Sequence, residues 1–272
     1  MEGNLLNQHI KEIIKEQESD QAYYDWYCEQ QEKYEEDKPP QPFDAVVSQP
    51  YYEDEYTTIY NEDCLTAMRA LRPHTILTDP PYGIAYKDKN EKVMIGDYAN
   101  VLGRALKIFY ESLSDDGSIF IFTSFKLLSD WLYRFEMYFK MNNLIIWEKE
   151  RSTGLYGGSN FGYSYEMIFY GSKGGHKLLE PEDDVLGCRR VSARKREHPT
   201  QKPLALLRRI IEVSTPQNGL IVDPFMGSGS TLVAAKLLGR KAIGIELNPK
   251  YCDIAIKRLT SNNLFDELNE AG

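Results

Sequence analysis

The sequence predicts an α/β domain, with a mixed, mostly parallel sheet covered by helices on both faces. Two observations carry this. From residue 56 onward, short apolar runs alternate with segments of helical periodicity. Short, largely apolar strands alternating with helices imply a mostly parallel sheet covered on both faces. Near residue 220 a strand-like run meets a glycine-rich turn and then a helical pattern, the order expected of a ligand-binding βαβ unit.

The strand expectations fall at 57–60, 75–78, 118–122, 144–147, 166–170, 220–222 and 242–245. Helices are expected at 65–71, 98–113, 126–139, 203–213, 231–238 and 249–259. Ahead of them, Leu5, Leu6, Ile10, Ile13 and Ile14 sit at roughly helical spacing in a polar segment, which reads as an amphipathic helix. Pro39, Pro40, Pro42 and Pro50 then interrupt regular structure, placing a linker at about 38–55. The expected organisation is an acidic N-terminal extension and linker, 1–55, and a main domain, 56–272, with a short insert around 171–197.

Charge divides the same way. Residues 1–55 hold 15 Asp/Glu against 4 Lys/Arg, and the remainder holds 26 against 28. The extension thus carries a net -11 and the body +2, and the near-neutral body can bind a polyanion if its bases cluster. Five bases fall within ten residues: Arg189, Arg190, Arg194, Lys195 and Arg196. Lys202, Arg208 and Arg209 read as further members of that patch. Four widely spaced cysteines without a CxxC pair indicate neither a zinc site nor a disulfide framework, so no metal is expected. No apolar run approaches the roughly 20 residues of a membrane span, and residues 1–20 do not read as a signal peptide. The location expected is cytoplasmic.

Two turns carry chemistry. The first is Asp223-Pro224-Phe225-Met226-Gly227-Ser228-Gly229-Ser230-Thr231, after the strand at 220–222. Gly227 and Gly229 permit a tight turn and close approach to a ligand. The next strand ends at Glu246, 19 residues after Gly227, where a carboxylate can accept hydrogen bonds from ribose hydroxyls. A dinucleotide fingerprint has a third glycine where Leu232 stands, so an adenosyl ligand without phosphates fits better. The second turn is Asp79-Pro80-Pro81-Tyr82, after the strand at 75–78. The prolines fix the backbone and bring no N–H donors. What remains is a carboxylate, carbonyls and an aromatic face, an acceptor-only set suited to a planar base with an exocyclic amino group. Base–aromatic stacking, worth about 1–3 kcal/mol per base, is comparable to the few kcal/mol needed to extrude a base.

Together these turns resemble those of the amino-methylating DNA methyltransferases, and their order, catalytic turn before cofactor loop, resembles the circularly permuted beta class of that family. The resemblance covers about residues 56–260 and implies a Rossmann-like S-adenosylmethionine-dependent methyltransferase fold. It implies Asp79, Pro80, Pro81 and Tyr82 as catalytic residues, and S-adenosyl-L-methionine as cofactor. In Tyr60-Asn61-Glu62-Asp63-Cys64 it implies that Asp63 reads the cofactor adenine. In His198-Pro199-Thr200-Gln201-Lys202-Pro203 it places Thr200, Gln201 and Lys202 near the methionine moiety, with His198 structural. Asp79, Asp223, Phe225, Gly227, Ser228, Gly229, Ser230, Thr231 and Glu246 complete the implied cofactor site. The insert around 171–197 takes the place of target recognition, with phosphate contacts from the five bases of 189–196. The loops 83–97 and 154–163 are candidates to close over the extruded base.

The implied activity is site-specific methylation of adenine N6 in double-stranded DNA, with a homodimer as an open alternative to the monomer. The N4-cytosine branch usually begins its catalytic motif with Ser rather than Asp. RNA and protein glutamine amides are alternative substrates, the latter usually with Asn at that position. A catalytically silent DNA-binding module is the reading from another class, against which Asp79, Tyr82, Gly227 and Glu246 speak.

Overall fold

The computed structural model describes residues 48–81, 99–149, 162–191 and 201–261, all within one compact unit, Asp44–Gly272. Nine strands form one sheet: β1 (Tyr52–Glu53), β2 (Thr57–Tyr60), β3 (Thr75–Thr78), β4 (Ser118–Thr123), β5 (Lys140–Glu148), β6 (Tyr165–Ser172), β7 (Val185–Gly187), β8 (Ile221–Asp223) and β9 (Ala242–Ile245). The described α-helices are α1 (Cys64–Ala67), α2 (Ala99–Ser112), α3 (Leu128–Glu136), α4 (Leu204–Ser214), α5 (Ser230–Leu237) and α6 (Pro249–Leu259).

The strand order is β1-β2-β9-β8-β3-β4-β6-β5-β7. The run from β2 to β4 is parallel throughout. Antiparallel β6 separates β4 from β5, and β7 pairs parallel to β5. All strands except β1 and β6 therefore point their carboxyl ends to one edge. From β3 the chain crosses to β4 on one side, whereas from β8 it crosses to β9 on the other. The reversal opens a crevice between the ends of β3 and β8, the position where open α/β sheets bind ligands.

Alternation along the strands feeds two cores. Ile76, Ile119 and Ile121 pack with Leu106, Phe109 and Phe135 of α2 and α3 on one face. Leu77, Phe120 and Phe122 pack with Leu207, Ile211 and Val233 of α4 and α5 on the other. Helix α5 faces β9 closely. A Cβ at Gly244 would collide with Met226 Sδ and approach Leu232 at 2.9 Å, so the absent side chain on the strand makes room for Leu232 on the helix. That replaces the third glycine of a dinucleotide fold, whose task is the same close packing.

The elements match the sequence reading in kind and differ in extent. The helix expected at 65–71 is one turn of α-helix followed by a 3₁₀ turn, Met68–Ala70. Strands β5 and β6 extend beyond the expected runs because they pair with each other along most of their length. Two strands were not expected. Strand β1 lies in the segment read as linker and pairs with β2; β7 lies in the expected insert. At two and three residues, neither is long enough to show a period. Among the described residues no helix is long and apolar enough to cross a membrane, and no cluster of three metal-ligating side chains occurs.

Candidate active site

The fully buried strand β3 delivers Asp79 and Pro80 to the crevice. Just before them, Thr78 donates a hydrogen bond to Asp223 Oδ1 across 2.8 Å. The other oxygen of Asp223 accepts from Thr231 Oγ1 at 2.6 Å, and Phe225 N donates to Oδ1 at 3.2 Å. Asp223 is 4% exposed. Burial pushes its carboxyl up to about 6, although the three donors favour the charged form. The side chains of Asp223 and Thr231, expected at the cofactor site, brace the glycine loop against the end of β3. Their oxygens are satisfied inside the protein.

The loop itself turns on two left-handed glycines with different tasks. Gly229, at φ 76°, faces α6, where a Cβ would come within 2.7 Å of Ala255 Cβ. Gly227, at φ 50°, has nothing within 4 Å of where a Cβ would stand, so its open side is available to a ligand. From behind, buried Arg258 donates to Ser228 O at 2.7 Å and Ser230 Oγ at 3.0 Å. Ser228 and Ser230, expected at the cofactor site, are thus tied from behind to α6, which supports the loop. The ring of Phe225 packs edge-on against Phe109 on the core side, at 6.4 Å between centroids.

Facing the loop, Glu246 ends β9 and accepts from Gly227 N at 3.2 Å and Asn248 N at 2.8 Å. Burial raises its carboxyl above the ordinary value, against the pull of those amides. Parallel pairing of β2 with β9 sets Tyr60 beside Ile245, so the segment carrying Asp63 leaves the sheet next to Glu246. Asp63 is exposed and caps α1 by accepting from Leu65 N at 2.9 Å. Asn61 Nδ2 donates to the carbonyls of Glu246 and Leu247 and ties the two strand ends together. An open glycine flanked by carboxylates suits the hydroxyls and amino group of an adenosyl moiety; a pyrophosphate would meet repulsion there. The residues present fit S-adenosylmethionine.

The other side of the crevice differs from expectation. Lys202, read as part of a basic surface patch, is 9% exposed. Its ammonium sits 2.7 Å from Asp79 Oδ2 and 3.0 Å from Glu166 Oε2. Burial pulls the Lys202 ammonium down, but the two carboxylates outweigh it and hold the group above the ordinary lysine value. Glu166 Oε1 also takes the Lys149 ammonium at 2.6 Å. Burial works against the charged form of Glu166, and the two lysines nevertheless hold its carboxyl below the ordinary value. Arg208 and Arg209 stay partly exposed and carry ion pairs: Arg208 with Glu212 at 3.6 Å, and Arg209 with Glu182 and Glu180.

Of the other candidates, Gln201 is half-buried beside Lys202, while Arg189 and Arg190 follow β7 at the same sheet edge as Asp79. Tyr82, Arg194, Lys195, Arg196, His198 and Thr200 lie outside the described residues, as do the loop 83–97 and most of 154–163. Sequence reading missed Glu166 and Lys149 as site residues. The only signal was a carboxylate near the start of an otherwise buried apolar strand, Glu166-Met167-Ile168-Phe169-Tyr170.

A cofactor crevice at the switch point, an open glycine loop, flanking carboxylates and an acceptor turn define a class: methyltransferases that act on an amino group. The comparisons agree. Residues 74–257 match the family model for N6 and N4 methyltransferases, described as DNA methylase. The type II methyltransferase M2.LlaDCHI of Lactococcus lactis subsp. cremoris is 30% identical over 251 residues, covering 79% of this chain and 93% of that protein. The type II methyltransferase M2.DpnII of Streptococcus pneumoniae is 30% identical over 255 residues, covering 80% and 95%. The crystal structure of the M1.HpyAVI–SAM complex superposes with a TM-score of 0.63 at 27% identity, covering 75% of this chain and all of that one. The cytosine-N4-specific PvuII DNA methyltransferase shares the fold, with a TM-score of 0.64 at 19% identity over 81% and 94%. The chain belongs to the DNA methylase family and is a DNA methyltransferase with S-adenosyl-L-methionine as its cofactor.

Proposed function

We propose that the protein methylates N6 of adenine at a specific double-stranded DNA site, with the target base extruded into the crevice. The observation that carries this is the placement of Asp79 at the switch point, joined through Thr78, Asp223 and Thr231 to the glycine loop. Acceptor turn and cofactor loop are thereby held as one unit. Asp79 and the Pro80 carbonyl accept the two amino hydrogens of the base, and Tyr82 stacks on its ring. An exocyclic amino nitrogen is conjugated and weakly nucleophilic; two acceptors pull it toward tetrahedral geometry and localise its lone pair. The bound cofactor supplies an electrophilic methyl group. Holding the nitrogen in line with it supplies much of the acceleration. Glu246 accepts the ribose hydroxyls, Asp63 the adenine amino group, and the open side of Gly227 admits the adenosyl moiety. The Lys202 ammonium holds Asp79 in place, and Gln201 and Thr200 approach the methionine portion. Arg189, Arg190, Arg194, Lys195 and Arg196 contact phosphates. The acidic appendage is the part of 1–55 ahead of the catalytic unit, which itself takes in β1. A homodimer and a cytoplasmic location belong to the same reading; light scattering of the full chain tests the first.

The test is incubation with unmethylated DNA and labelled S-adenosylmethionine, then mass spectrometry of the nucleosides. N6-methyladenine is expected. N4-methylcytosine overturns the base assignment and keeps the fold and the geometry, and no product from DNA overturns the activity.

A further inference from the structure

Lys149, Glu166, Lys202 and Asp79 form a chain of alternating charge, with links of 2.6, 3.0 and 2.7 Å. Its members come from four separate segments: the residue after β5, the start of β6, the approach to α4 and the end of β3. Both lysines are buried, at 7% and 9% exposed. Each is backed by an aromatic ring, Lys149 by Trp147 at 5.2 Å and Lys202 by Phe122 at 4.7 Å. Glu166 bridges them with a different oxygen for each, which fixes its own rotamer. Surface ion pairs contribute little to stability, and buried ones are often no better than apolar packing of the same volume. This chain ends on the carboxylate of the catalytic turn, where geometry matters more than stability. Prolines already fix the backbone after Asp79. What is left to fix is the side chain, and Lys202 holds it.

We infer that Glu166 is a positioning residue for methyl transfer: it anchors Lys202 against Asp79 and, by neutralising Lys149, keeps a second buried cation from competing for the same carboxylate. The inference rests on Asp79 being the acceptor for the base. Without the Glu166 charge, two buried ammonium groups face one carboxylate, and Asp79 is drawn out of register with the cofactor loop. Removing the Lys149 charge as well leaves Lys202 and Asp79 as a balanced pair.

The experiment compares Glu166→Gln and Lys149→Met/Glu166→Gln in the full chain, by steady-state methyl transfer and by calorimetric titration with S-adenosylmethionine. Glu166→Gln is expected to lower kcat at least about tenfold, because misplacement by an ångström costs rates of that order or more, while cofactor affinity stays within about twofold. The double variant is expected to regain most of the lost kcat. A purely structural role also predicts recovery in the double variant, but of stability: Glu166→Gln then lowers the urea midpoint and leaves kcat per folded molecule unchanged. The inference is overturned by an unchanged kcat in Glu166→Gln, by a parallel loss of cofactor affinity, or by no recovery in the double variant. Should Glu166→Gln not fold, the charge-balanced double variant decides alone: kcat near the parent's supports positioning, and its loss overturns it. An active Asp79→Ala variant undermines the reading of the turn itself, whereas an inactive Asp79→Ala beside a fully active Glu166→Gln rejects only the positioning role.

Discussion

The two sides of the crevice are built by different means. On the cofactor side, β8, the glycine loop, α5 and β9 are consecutive in the chain, and the groups that matter lie within one stretch from Asp223 to Glu246. On the substrate side, the charges around Asp79 come from segments separated by as much as 123 residues, between Asp79 and Lys202. Local connectivity makes the first side a motif. Sheet register makes the second: β6 runs antiparallel between β4 and β5 and brings Glu166 to the edge where Asp79 and Lys149 also end. The groups at the glycine loop are set by one stretch of chain, whereas those around Asp79 are assembled from several directions.

Variants can sharpen this contrast. The largest effect is expected at Asp79. Asp79→Ala should lower kcat about 1000-fold, the scale seen on removing a preorganised polar group at a reacting centre, with cofactor affinity nearly unchanged by titration calorimetry. Loss of cofactor binding alone would erase the distinction between the two sides.

Next is Asp223, which joins them. Its carboxyl stands at about 6 in the folded protein against an ordinary 3.8, because burial disfavours the charge. A raised carboxyl pKa adds stability that is fully present below the unfolded value and is lost as pH rises through the folded one, about 3 kcal/mol in all. The stability of Asp223→Asn minus that of the parent, from urea unfolding, should therefore rise between about pH 4 and 6 and level off above. A flat difference would mean that Thr78 and Thr231 compensate the charge fully.

Glu246→Ala tests the cofactor side by itself. Losing charge-assisted hydrogen bonds to ribose should weaken cofactor binding by about 2 kcal/mol, with kcat at saturating cofactor little changed. A large loss of kcat at saturation would place Glu246 on the substrate side. The smallest change is expected at the basic run: Arg194→Ala/Arg196→Ala should reduce the slope of log K against log salt for DNA by about 2. An unchanged slope would remove these arginines from the interface.

The residues show why one side was legible and the other was not. Asp79, Gly227, Gly229 and Glu246 sit in sequence-adjacent signals of strand, turn and terminal acid, and the structure sets them around the expected crevice. Lys202 was legible as a polar residue in a family segment, but its basic neighbours suggested a surface. Whether a lysine is solvated or buried depends on what packs above it, and here Phe122 and two carboxylates do. Lys149 carried no local pattern, and Glu166 only that of a carboxylate at the start of an apolar strand. Asp223 and Thr231 were legible as part of a motif, while their inward hydrogen bonds were not.

The sequence by itself determined the alternation of elements, the parallel sheet, the two turns and the family, because hydrophobic period and turn chemistry are properties of neighbouring residues. Only the tertiary structure decided which charges meet. Strand order and register bring distant carboxylates and ammonium groups within 3 Å inside a protein that screens them poorly, and nothing local in the chain encodes that meeting.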